Sequence, residues 1–88
     1  MRVEVFRVTG NAVELVVGEN GTVREVLAHP DSGQVVGQEG SLLDYAEREY
    51  GSVQGLGTLR VNGAPATLDS PVSEGATLLI IPKVEGGC

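Results

Sequence analysis

"TLLIIP", residues 77–82, is apolar at odd and even positions alike. A strand with one face in water alternates polar and apolar residues. A strand apolar on both parities is covered on both sides and lies in the interior of a sheet. Pro82 has no N–H to give to a ladder and ends it. The last strand of this chain is therefore central, and the earlier elements must be arranged around it.

Working back, "TLRVNGAPATL" (58–68) reads as strand, Asn-Gly turn and short strand, and "DSPVSEGA" (69–76) as a tight connection turning at Gly75. At the other end of the chain, "MRVEVFRVT" (1–9) alternates, with Val3 and Val5 on one face and Arg2 and Glu4 on the other. Phe6 and Val8 then fall on the opposite parity, which predicts a bulge or two-sided cover near the strand end. "TGNA" turns the chain into "VELVV" (13–17), completing an N-terminal hairpin. A central last strand after an opening hairpin inserts beside the first strand.

Between these strands lie two capped starts. Thr22 with Glu25 is a capping-box pair, and "TVREVLAHP" predicts a short helix at 22–28 stopped by Pro30. Ser41 with Asp44 opens "SLLDYAEREY" (41–50), whose apolar face is Leu42, Leu43, Tyr45, Ala46 and Tyr50, with Gly51 closing it. This second segment is expected to be the main helix on the sheet. "DSGQVVGQEG" (31–40) reads as a loop or at most a strand fragment.

Eighty-eight residues form one domain. Only three residues are aromatic, so the core is built from Val, Leu and Ile. The formal charge of −6, with six scattered cations and no basic stripe, argues against nucleic acid. It suits solubility and a partner with a basic docking face. One cysteine makes no internal disulfide. The opening residues lack a signal-peptide core, and no apolar run reaches the ~20 residues that cross a bilayer. A cytoplasmic protein without a membrane partner is expected.

The predicted order is strand, strand, helix, strand, strand, strand. It is that of the ubiquitin-like β-grasp, an α+β fold: a mixed sheet of four to five strands on one main helix plus a short one. "LRVNGAPATLDSPVSEGATLLIIPKVEGG" (59–87) resembles the C-terminal half of the ThiS/MoaD sulfur carriers of thiamine and molybdopterin biosynthesis. The matching features are Val61-Asn62 at a strand end, Glu74-Gly75 before the last strand, and the Pro82, Val84, Gly86-Gly87 tail. "GTVREVL" (21–27) is similar to the family's first-helix entry. The sequence departs from the pattern at residues 30–40, at Ala76 where the family often has an acid, and at Cys88.

The resemblance implies a β-grasp domain over residues 1–83 and a flexible tail over 84–88, ending in the diglycine and Cys88. An E1-like adenylating enzyme, using ATP and Mg, would activate the Gly87 carboxylate, and sulfur would replace AMP to leave a thiocarboxylate. Glycine at 86 and 87 lets the backbone enter a narrow channel and leaves the acyl carbon open. The catalytic groups belong to the partner, so the chain is a carrier and not an enzyme, and it binds no cofactor itself. Pro82, Lys83 and Val84 lead into the tail and are expected to touch the activating enzyme. Cys88 blocks the Gly87 carboxylate as an amide; in some family members a zinc-dependent JAB/JAMM peptidase removes such a residue. A sulfur-accepting biosynthetic enzyme completes the expected partners.

Other readings stay open. Gly87 could be conjugated to target lysines, as in a ubiquitin-like modifier, or the chain could be a β-grasp interaction module indifferent to its tail. The diglycine could be a frayed end, and Cys88 a conjugation handle, an incidental residue, a redox-sensitive thiol or the nucleophile of an acyl shift. His29, before Pro30, favours a helix dipole and with one cysteine makes no metal site. Glu47, Arg48 and Glu49 read as a solvated helix face, and Gly18, Gly21, Gly33, Gly37 and Gly40 as turn glycines rather than a phosphate loop. Val13, Val61 and Leu79 are expected in the sheet, with their facing undecided.

Overall fold

The computed structural model describes residues 1–8 and 10–83. Five strands form one mixed sheet: β1 (Arg2–Arg7), β2 (Ala12–Val16), β3 (Thr58–Val61), β4 (Ala64–Pro65) and β5 (Ala76–Ile81). Their order across the sheet is β2-β1-β5-β3-β4. The last strand runs parallel to the first, Val5 opposite Leu78, and antiparallel to β3, Val61 opposite Leu78. The strand that is apolar on both parities is thus the middle one, flanked on both sides. The fold is α+β, with helices α1 (Val23–Ala28) and α2 (Leu42–Tyr50).

The core is aliphatic. Val3, Val5, Leu15, Leu78 and Ile80 from the sheet pack with Val23, Val26, Leu27, Leu42 and Ala46 from the helices. Each fully buried Val, Leu or Ile side chain contributes about 1.5–3 kcal/mol. The shorter helix, α1, buries Val23, Val26 and Leu27; the longer α2 buries Leu42 and Ala46 and packs Leu43 and Tyr45 against the same core.

Local features differ from expectation in three places. The predicted bulge near Phe6 does not occur: pairing with β2 runs unbroken from Arg2–Val16 to Phe6–Ala12, and Phe6 simply faces outward. The Thr22 side chain makes no capping bond. Instead the N–H groups of Val23 and Arg24 donate to the carbonyls of Ser70 and Leu68, both at 2.9 Å. The segment before β5 therefore caps α1 with backbone, and the side-chain box is redundant. Ser41 does cap α2, accepting the Asp44 N–H at 3.1 Å, and Gly51 ends it at φ 83°.

The third difference is the stretch read as a loop. Ser32–Val36 is a 3-10 turn with Ser32, Gly33 and Val35 buried. The Ser32 hydroxyl lies 2.8 Å from the Leu27 carbonyl and 2.7 Å from that of His29, and its one proton goes to one of them. It also accepts the Leu42 N–H at 2.7 Å. One side chain therefore joins the end of α1 to the start of α2. The turn also accepts the Asn11 N–H on the Val35 carbonyl at 3.0 Å, tying the β1–β2 connection to the helical layer. A second 3-10 turn, Val53–Leu56, leads from α2 to β3.

Candidate functional site

The chain leaves the sheet at the end of β5, so the site is built from what holds that strand. At its start, Asn62 adopts φ 52° after β3. Its N–H donates to the Thr77 carbonyl at 2.9 Å, and its Oδ1 accepts the Thr77 N–H at 3.0 Å. Beside it, the Glu74 carboxylate accepts the Arg2 N–H at 3.1 Å while the Gly75 N–H donates to the Arg2 carbonyl at 2.8 Å. The Val61-Asn62 and Glu74-Gly75 pairs thus clamp the starts of the two parallel central strands. Ala76 is buried against the core, so an acid there would need a buried partner.

The opposite end of β5 delivers Ile81, Pro82 and Lys83. The Val53–Leu56 turn closes on it by a side-chain-free approach. A Cβ on Gly57, at φ 113°, would sit 2.0 Å from the Ile81 carbonyl oxygen. A Cβ on Gly55 would sit 2.2 Å from that of Tyr50. The result is a cavity of about 460 Å³ lined by Arg7, Tyr50, Gly55, Pro82 and Lys83. A second, more apolar groove of about 300 Å³ between Val53, Leu59, Pro65 and Leu68 touches neither Pro82 nor Lys83.

Of the residues that the sequence nominated, Pro82 is half-buried and Lys83 exposed, and both line this cavity. Val84, Gly86, Gly87 and Cys88 lie outside the described residues. Arg7 and Tyr50 were not nominated. Arg7 follows Val3 and Val5 on the core-facing parity of β1, is half-buried, and its buried Nε has no acceptor among the described residues. A cation on a core parity at a strand end was the available signal. Tyr50 stacks edge-on against Tyr45, with ring centroids 6.0 Å apart. The Tyr45 phenol is held above its usual range, first by its hydrogen-bonding contact with Tyr50 and then by burial and Glu49, against the lowering effect of Arg7.

The outer face of the sheet carries Phe6 opposite Leu79, and Leu79 opposite Arg60. Phe6, Val8 and Val16 are exposed. Val13 and Val61 pack on the core, whereas Leu79 does not, so of the three sheet residues only Leu79 faces outward. His29 ends α1, and its Nδ1 accepts the Asp31 N–H at 3.0 Å. Among the described residues no three His, Cys, Asp or Glu side chains gather as a metal site. None of their helices is long and apolar enough to cross a membrane. No protein-family model matches the chain, and no curated protein matches it in sequence.

Proposed function

We propose that the chain is a sulfur carrier of the ThiS/MoaD type on a ubiquitin-like β-grasp, used through a thiocarboxylate at Gly87 after Cys88 is removed. The observation that carries this reading is the strand order. The last strand lies between β1 and β3 and ends at Pro82-Lys83, immediately before "VEGGC". A central strand anchored at Thr77 and Ala76 is a firm mount for a terminal carboxylate presented to another protein. The α+β layering and the structural work done by Val61-Asn62 and Glu74-Gly75 support the same reading.

In this scheme an E1-like enzyme, with ATP and Mg, converts the Gly87 carboxylate to an acyl-adenylate and releases pyrophosphate. A sulfur donor then displaces AMP, and the thiocarboxylate passes its sulfur to a biosynthetic enzyme. A JAB/JAMM peptidase first hydrolyses the Gly87–Cys88 amide. Intact-mass measurement on chain isolated from its own cells tests the scheme. A form ending at Gly87 that gains about 16 Da on activation, sulfur for oxygen, is the expected product. A fully competent chain that keeps Cys88 would overturn it, and lysine-linked adducts would assign Gly87 to protein modification instead.

A further inference from the structure

We propose that the cavity at the end of the sheet binds a small oxyanion, a carboxylate or a phosphate, held by Arg7, Lys83 and Tyr50. The chain carries twelve acids against six cations, yet among the described residues the lining of this cavity holds two cations and no acid. Among the described residues the single ion pair is Arg24 with Asp69 at 3.5 Å, so neither Arg7 nor Lys83 is neutralised by a described carboxylate. Glu49 acts on the neighbouring Tyr45 but does not line the cavity.

Arg7 is the centre of the site. Its stem leaves β1 on the face that buries Val3 and Val5, and its Nε is removed from water without an acceptor among the described residues. A buried donor left unpaired is unfavourable, and a guanidinium is best satisfied by the paired oxygens of a carboxylate or phosphate. Tyr50 adds a hydroxyl donor and the exposed Lys83 an ammonium. The walls are fixed, because Gly55 is packed on Tyr50 and Gly57 on the Ile81 carbonyl. The volume of about 460 Å³ lies within the roughly 300–1,000 Å³ of small-ligand pockets. This inference does not depend on sulfur carriage. The anion is an external one.

The test is an NMR titration of the full chain with sodium phosphate and, separately, sodium acetate, with chloride holding ionic strength constant. Saturable shifts are expected at the Arg7 Nε–H and at the backbone amides of Gly55 and Lys83. Arg7→Gln and Lys83→Gln should each weaken the fitted affinity by about tenfold, the loss of one charge-assisted contact. Lys83 is exposed, so K83Q keeps the test decisive should R7Q disturb the fold. Non-saturating shifts, or binding unchanged in K83Q, would overturn the proposal.

Discussion

Asn62 and Thr77 bond each other twice, the Asn62 N–H to the Thr77 carbonyl at 2.9 Å and the Thr77 N–H to Asn62 Oδ1 at 3.0 Å. The residue has two jobs, since it also holds φ 52° at the end of β3. Two substitutions separate them. Asn62→Gly keeps access to the left-handed backbone and loses only the side-chain acceptor, and is expected to destabilise by about 1 kcal/mol. Asn62→Ala loses both and should cost about 2 kcal/mol. Urea unfolding measures the pair. Equal losses in the two variants would mean that the backbone conformation contributes nothing.

Ser32 is the polar centre of the helical layer, fully buried and shared between Leu27 or His29 and Leu42. Ser32→Ala leaves the buried Leu42 N–H without its acceptor, and a loss of about 2 kcal/mol is expected. Hydrogen exchange should show where: the first turn of α2 is expected to lose protection, with β1 and β5 unaffected. Protection lost uniformly would contradict a local role for this hydroxyl.

The same residue explains what could be read from sequence and what could not. Residues 77–82 announce a central strand because hydrophobicity on both parities is a local property. The Ser41–Asp44 cap is local too, and it forms as its spacing predicts. Ser32–Val36 escapes because its burial rests on one hydroxyl and on backbone groups of distant segments, which leave no periodic apolar pattern. Thr22 fails as a cap for the converse reason. Its neighbours' N–H groups are taken by carbonyls that lie more than forty residues away in sequence, Leu68 and Ser70. At the candidate site, Pro82 and Lys83 were legible from the tail. Arg7 and Tyr50 reach them only through the pairing of β1 with β5 and the closure of the Val53–Leu56 turn.

Gly57 sits where backbone meets backbone. Alanine there would combine φ 113° with a Cβ 2.0 Å from the Ile81 carbonyl oxygen, and neither side is a flexible side chain that can yield. Gly57→Ala should destabilise by about 3 kcal/mol or more, combining strain with displacement of the turn. Chemical shifts of Lys83 and Tyr50 should move with it, since the same turn walls their cavity. A variant as stable as the parent, with those shifts unchanged, would show that the approach is looser than described.

Glu4 and Glu14 face each other across β1 and β2, both exposed. Like charges directly opposite in an antiparallel pair oppose folding, so Glu14→Lys should stabilise by roughly 0.5 kcal/mol through a favourable cross-strand pair. The gain should shrink when salt is raised to about 1 M, because screening at that concentration acts within a few ångströms. A gain that ignores salt would point to strand propensity rather than charge.

Under the proposed function, Gly86 is read by the partner and not by the fold. In a chain ending at Gly87, Gly86→Val places a branched side chain on the segment that must enter the adenylating enzyme. Nothing in the described core depends on residue 86, so the unfolding midpoint should stay within about 1 °C of the parent. ATP-dependent activation, followed by pyrophosphate release, should fall by about 100-fold in kcat/KM as the carboxylate is held off line. The parent chain retaining Cys88 serves as the control and should release no pyrophosphate without prior trimming, since its Gly87 carbonyl is an amide. Activation of G86V at the parent rate would remove the reason for a diglycine and favour an interaction module whose working surface lies elsewhere, on the outward face around Phe6 and Leu79.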